Sequence, residues 1–139
     1  MKKNEKSTSR KIGLPPGSLI HIGKKRSDKT RISVIDYNET EFTETEYNNI
    51  EDCFPFKETS TVSWINIDGL HNIDIIRSLG DHFELHPLLL EDLLNTNHRP
   101  KAEDFGDYIF LTLKMLGISK NGNSIVTEQV SFILGKTWV

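Results

Sequence analysis

Between Pro87 and Pro100 the apolar positions repeat with a helical period. The stretch reads His86-Pro-Leu-Leu-Leu-Glu-Asp-Leu-Leu-Asn-Thr-Asn-His-Arg-Pro-Lys101. Pro87 suits the first helical position, where the missing N–H would be unpaired anyway. Asn95 to Asn97 offers no apolar continuation and Pro100 forbids one, so the spacing predicts a helix from Pro87 to about Asn95. At about 100° per residue, Leu89, Leu90, Leu93 and Leu94 share one stripe. Glu91, Asp92 and Asn95 fall opposite, with Leu88 among them. That oxygen-rich face reads either as ordinary solvated surface or as a carboxylate site for a hard cation beside an interface.

The remaining pattern is mostly period two. Leu14-Pro-Pro-Gly17 is a rigid turn. Ser18–Gly23 reads as a short strand, Lys24–Thr30 as a charged turn, and Arg31–Tyr37 as the hairpin partner of the first. Phe42–Tyr47 is an edge strand, and Asn48–Phe54 a brief helix closed by Pro55. Thr61–Ile67 is β-branched and aromatic, ends at Asp68-Gly69, and should anchor the core through Trp64. From Ile73 to Glu84 the period turns helical, with Ile75, Ile76, Leu79 and Phe83 on one face and Gly80 as a weak point. Asp107–Leu116 is apolar on both faces, as a central, doubly covered strand should be. Lys120–Asn123 turns the chain into Ile125–Leu134, an antiparallel partner, and after Gly135-Lys136 a further strand begins at Thr137-Trp138-Val139. The expected fold is α/β: a mixed parallel and antiparallel sheet layered with helices as an α/β/α sandwich.

Composition narrows the class. The 139 residues suit one domain with a core, preceded by a disordered basic leader over residues 1–12. No apolar run approaches the ~18 residues of a membrane-spanning helix, and Met1–Arg10 does not read as a secretory signal. A single cysteine, Cys53, sits beside Phe54 and Phe56 and reads as core rather than as a redox thiol. The net charge of −3 hides an asymmetry: residues 1–31 hold ten Lys or Arg against two acids, residues 32–139 seven against eighteen. The basic segment lacks interleaved aromatics and the body is acidic, which argues against nucleic acid and allows for cations.

Catalytic motifs are absent. His21, His71, His82, His86 and His98 do not form a helical zinc site, and there is no nucleophile elbow, phosphate loop or dinucleotide fingerprint. His86, before a proline, reads as a turn or cap residue. Glu91 and Asp92 diverge by about 100° on a helix and cannot easily chelate one bare ion together. Hydrated magnesium asks less, because it keeps several waters and takes one or two carboxylates. Glu103, Asp104 and Asp107 form a second acidic cluster, read as a solvated loop. A soluble hydrolase using Glu91 or Asp92 as base would need more convergent ligands than these. An interaction module binding through Leu88 and Asn95 remains a further reading.

These segments together resemble a known family. His86-Pro-Leu-Leu-Leu-Glu91-Asp92-Leu-Leu-Asn95, Arg99-Pro100-Lys101, Asp107–Lys114, Ser63-Trp64-Ile-Asn66-Ile and Gly13-Leu-Pro-Pro-Gly17 are similar, in order and spacing, to the cytosolic N-terminal domain of the CorA magnesium transporters. The resemblance covers residues 13–139. It implies a cytosolic ion-sensing domain of a divalent cation channel that is a homopentamer when whole, on the cytoplasmic side of the cell membrane, passing Mg²⁺, Co²⁺ or Ni²⁺. It further implies that Asp92 is half of an inter-subunit Mg²⁺ site, that Glu91 contributes to a neighbouring one, and that Leu88 and Asn95 are interface candidates. The abrupt stop in an apolar strand is read as a truncation before the family's stalk helix, leaving a monomeric or weakly associating fragment. A zinc transporter of the same superfamily is the nearest alternative.

Overall fold

The structure is a computed structural model and describes residues 13–23 and 29–139. The expected leader and most of the charged turn at 24–30 lie outside the described residues. Among the described residues six strands and two α-helices follow in chain order: β1 Arg31–Tyr37, β2 Phe42–Tyr47, β3 Val62–Asp68, α1 Ile73–His82, α2 Pro87–Leu93, β4 Lys101–Asp104, β5 Ile109–Ile118 and β6 Ile125–Leu134. A 3₁₀ helix, Ile50–Lys57, lies between β2 and β3.

The strands form two three-stranded sheets, ordered β2-β1-β3 and β4-β5-β6. Every pairing between these strands is antiparallel. Among the described residues, parallel pairing is limited to two isolated bridges, Ile22 with Asn95 and Ser63 with Trp138. The α/β layering is therefore as expected, while the parallel component is confined to those bridges.

Strand alternation decides what is inside. Ile32 and Val34 of β1, Ser63 of β3, and Phe110 and Thr112 of β5 are all buried. Ile76 and Phe83 from α1 and Leu89, Leu90, Leu93 and Leu94 from α2 pack with Tyr108 and Phe110 in one core cluster. Ile32, Val34, Ile50 and Cys53 form a second, and Phe54, Ile65 and Leu79 touch both. On the opposite faces Trp64 is 43% exposed and Leu113 46%. Trp64 is thus not a core anchor: inward positions on β3 are Ser63 and Ile65, and the indole meets Phe132 edge-on, with centroids 6.1 Å apart. The same parity leaves β5 covered on one face only, not both.

Three other expectations change. Residues 18–23 make no strand and contribute only the bridge at Ile22. The hairpin partner of β1 is instead β2, in a register running from Ile32–Tyr47 to Tyr37–Phe42. Asn38 explains the reversal, because its Oδ1 accepts from the backbone N–H groups of Thr40 and Glu41. The 3₁₀ helix runs through Pro55 rather than stopping there, since the fixed φ of proline suits this geometry.

Gly80 has a packing role. A Cβ there would lie 2.4 Å from Cδ1 and 3.3 Å from Cγ of Leu90. Helix propensity favours alanine over glycine by about 1 kcal/mol, whereas overpacking a core costs about 1–3 kcal/mol. Gly80→Ala should therefore lower stability, measured by urea unfolding. A gain would mean that α1 and α2 can separate freely.

Candidate functional site

Helix α2 presents the acidic pair, and its geometry begins with His86. Nδ1 of His86 accepts the Leu88 backbone N–H at 3.2 Å, so this histidine is the N-cap, as its position before proline suggested. Its own N–H donates to the Tyr108 hydroxyl at 2.8 Å. With the start fixed and the leucines buried, rotation of the helix is set. Leu88 is left 47% exposed, and Glu91, Asp92 and Asn95 lie partly exposed.

Each polar residue on that face already has a partner. Glu91 Oε2 accepts the Gly17 N–H at 2.8 Å, which ties the Pro-Pro turn onto α2. Gly17 has φ +82°, and a Cβ there would come within 3.1 Å of Pro87 Cβ, so glycine fits for conformation and for space. Asn95 Oδ1 accepts the Asn97 N–H at 3.3 Å. On both sides of Asn95 the backbone is held by Ile22, which donates to Leu94 O and accepts from Thr96 N–H, each at 2.9 Å.

Asp92 has the densest set of partners. Its Oδ2 accepts from Lys101 Nζ at 2.5 Å, and its Oδ1 lies 2.8 Å from His98 Nε2. Lys101 also reaches Glu103 Oε2 at 2.8 Å, and its ammonium stands 5.5 Å from the centroid of the Phe110 ring. Burial alone would lower the Lys101 pKa, but the hydrogen bonds to Asp92 and Glu103 outweigh it and the net shift is upward. Glu103 and Asp104 stand on β4, not in a loop as expected, and Asp107 just precedes β5. Pairing of Lys101 with Thr112 fixes that strand and brings the ammonium over the core.

No group of three or more His, Cys, Asp or Glu that could hold a metal occurs among the described residues. Glu91 and Asp92 share a helix face but do not converge on one point. The Asp92 carboxylate is already engaged by Lys101 and His98. Sequence reasoning missed the parts that His98, Lys101 and Gly17 play here. The signals were local: His98 closes the turn after α2 by donating its N–H to Asn95 O at 3.2 Å, Lys101 follows Arg99-Pro100, and Gly17 follows two prolines that cannot donate.

The other chemical candidates resolve as structure. His82 stacks on Phe54, with ring centroids 3.9 Å apart and planes 3° from parallel. Cys53 is fully buried. Burial first, then the carboxylates of Asp52 and Glu51, push its thiol up to about 11.

A family described as CorA-like Mg²⁺ transporter protein matches residues 59–139. The cobalt/magnesium transport protein CorA of Thermotoga maritima is 46% identical over 135 residues, which is 97% of this chain and 38% of the relative. Both matches are to proteins described as metal-ion transporters. The chain belongs to the CorA family. It spans about two-fifths of the length of that relative, and no helix among the described residues is long and apolar enough to cross a membrane.

Two outcomes follow from this chemistry. Asp92→Asn leaves Lys101 with Glu103 as its remaining carboxylate and should cost about 1–2 kcal/mol at pH 7. Because the folded pKa of Lys101 is raised, its contribution is full below its unfolded pKa of ~10.4 and lost as pH rises through the folded value. The difference between wild type and Asp92→Asn in denaturant unfolding should therefore shrink at the alkaline end; an unchanged difference would remove Lys101 as its source. Cys53, for its part, should react with a thiol reagent at pH 8 about a hundredfold more slowly in the native chain than in urea, and equal rates would contradict its burial.

Proposed function

We propose that this chain is the cytosolic, ion-sensing domain of a CorA-type transporter that passes Mg²⁺, and with it Co²⁺ or Ni²⁺, across the cell membrane. The supporting observation is the outward, part-exposed placement of Glu91 and Asp92 beside exposed Leu88 on α2, in a chain of the CorA family. The Thermotoga relative, a cobalt/magnesium transport protein, favours these ions over zinc.

Asp92 fits a hydrated divalent ion as one of two opposed carboxylates, the second coming from a neighbouring subunit of a homopentamer. Glu91 fits a neighbouring site on the same face. Leu88 and Asn95 flank both and supply contact area. When bound, the ion neutralises carboxylates that face each other across the interface. Without it, Asp92 falls back on Lys101 and His98, and like charges on the two subunits lower the advantage of the closed assembly. The Lys101 ammonium thus sets a competition that keeps affinity low enough for the site to follow cytosolic magnesium. Catalysis has no part in this reading.

The test uses the full-length protein in a protease-protection titration with magnesium. Wild type should become protected as magnesium rises, whereas Asp92→Asn should need severalfold more or reach less protection. The present chain alone should bind Mg²⁺ only weakly by calorimetry. Identical protection curves for wild type and Asp92→Asn would return this face to ordinary solvated surface.

A further inference from the structure

Asp92 lies in the last turn of α2 and His98 lies beyond the helix, so the turn that follows α2 is what brings them together. In that turn the Asn97 N–H donates to Asn95 Oδ1 at 3.3 Å and the His98 N–H to Asn95 O at 3.2 Å. The imidazole is thereby held with its Nε2 2.8 Å from Asp92 Oδ1. The His98 and Asp92 side chains keep 32% and 25% of their area exposed, so a hydrated ion has access to both. The histidines at the ends of α1 and α2 are committed elsewhere. His86 Nδ1 accepts the Leu88 N–H, and His82 is stacked on Phe54 with its Nε2 3.2 Å from Phe54 O.

We propose that His98 is a specificity-determining ligand of the Asp92 site, which makes that site take Co²⁺ and Ni²⁺ in preference to Mg²⁺. The inference rests on the ion-sensing reading and adds to it the class of ion that is sensed most tightly. Geometry supplies the first argument. Metal–ligand bonds of about 2.1 Å at right angles place adjacent donors about 3.0 Å apart. Asp92 Oδ1 and His98 Nε2 already stand close to that separation. To share an ion they turn about side-chain bonds, and the backbone turn stays in place. Nε2 then gives its lone pair to the metal and the ring keeps one proton, on Nδ1; any second ring proton goes to water.

Ion chemistry supplies the second argument. Mg²⁺ is a hard ion that keeps its waters and takes carboxylate oxygen, so it gains Asp92 and leaves the imidazole aside. Co²⁺ and Ni²⁺ accept imidazole nitrogen beside carboxylate, and the order of divalent affinities puts Ni²⁺ above Co²⁺. This chain therefore offers two adjacent donors to a transition-metal ion and one to magnesium, with water and the opposing subunit completing either shell. Lys101 cannot take the part of His98, because an ammonium has no lone pair to give. When Asp92 turns towards an ion, Lys101 keeps Glu103 Oε2 at 2.8 Å as its partner. The consequence is a sensor that closes at lower free Ni²⁺ or Co²⁺ than Mg²⁺, so those ions limit their own entry while magnesium still passes.

The experiment titrates protease protection of the full-length protein with MgCl₂, CoCl₂ and NiCl₂ separately, in wild type, His98→Gln and Asp92→Asn. Wild-type midpoints should fall in the order Mg²⁺, Co²⁺, Ni²⁺. His98→Gln should raise the Co²⁺ and Ni²⁺ midpoints about tenfold and move the Mg²⁺ midpoint by less than about twofold. The retained Mg²⁺ response is the check that this variant is folded and that Asp92 still works. Parallel shifts for all three ions, or no shift for any, would overturn the proposal. So would Co²⁺ and Ni²⁺ curves that move in His98→Gln but not in Asp92→Asn, because His98 would then act apart from Asp92. With Asp92→Asn shifted for every ion, a failure at His98 leaves the ion-sensing reading standing. Asp92→Asn curves that match wild type for every ion would remove that reading, and this proposal with it.

Discussion

Burial of the leucine stripe on α2 against Phe110 is the constraint on which the remaining arrangement depends. Leu89, Leu94 and Phe110 are fully buried, and Leu90 and Leu93 nearly so. Each such side chain contributes about 1.5–3 kcal/mol when removed from water, against about 1–3 kcal/mol for a hydrogen bond to a charged group. The apolar face therefore decides how α2 is rotated, and Glu91, Asp92 and Leu88 take the positions left to them. Lys101 belongs to the same construction. Its ammonium stands over the buried Phe110 ring while it reaches Asp92, so the ion pair is built against the core.

That hierarchy explains what was legible in the sequence. The period of 3.6 around Leu89–Leu94 and the cap before Pro87 are local signals, and the helix, its buried face and its exposed leucine follow directly from them. The long β5–β6 hairpin is equally local, since Lys120–Asn123 supplies the turn and the ladder runs from Ile109–Leu134 to Ile118–Ile125. The partner of β1 was not local in the same sense. Both flanking segments could pair with it, and the choice depended on the side-chain acceptor of Asn38 closing the turn to β2. Trp64 failed for a different reason. Its strand was recognised, but composition does not say which alternate residues face the helices, and on β3 the inward set includes a serine.

Ser63 is buried because its polarity is satisfied. Its hydroxyl donates to Asp36 Oδ1 at 2.6 Å, and Thr61 donates to the same oxygen at 2.7 Å. An aromatic at that inward position would displace this network and meet Trp138, which lies opposite on the parallel bridge. The site was legible to a similar depth. Helical spacing identifies Glu91 and Asp92 as one outward face, whereas Gly17, His98 and Lys101 reach it through chain reversals that no period records.

Trp138 links the sheet edge to the acidic helix. Its ring meets Phe83 edge-on at 4.8 Å and lies 6.4 Å from Tyr108, whose hydroxyl accepts from the His86 N–H at the start of α2. A Cβ on Gly135 would fall 2.2 Å from the indole, so glycine is what allows the chain to turn closely enough to seat the ring. The placement of Tyr108, and with it the cap of α2, is therefore set from two directions: by the β5 ladder and by whatever holds Trp138 against β3. Three residues of parallel pairing are a short hold. Contact of this kind fixes position without implying a switch, because coupling requires two arrangements of the linking element. What it does imply is that the acidic face of α2 shares its support with the short parallel pairing at Trp138.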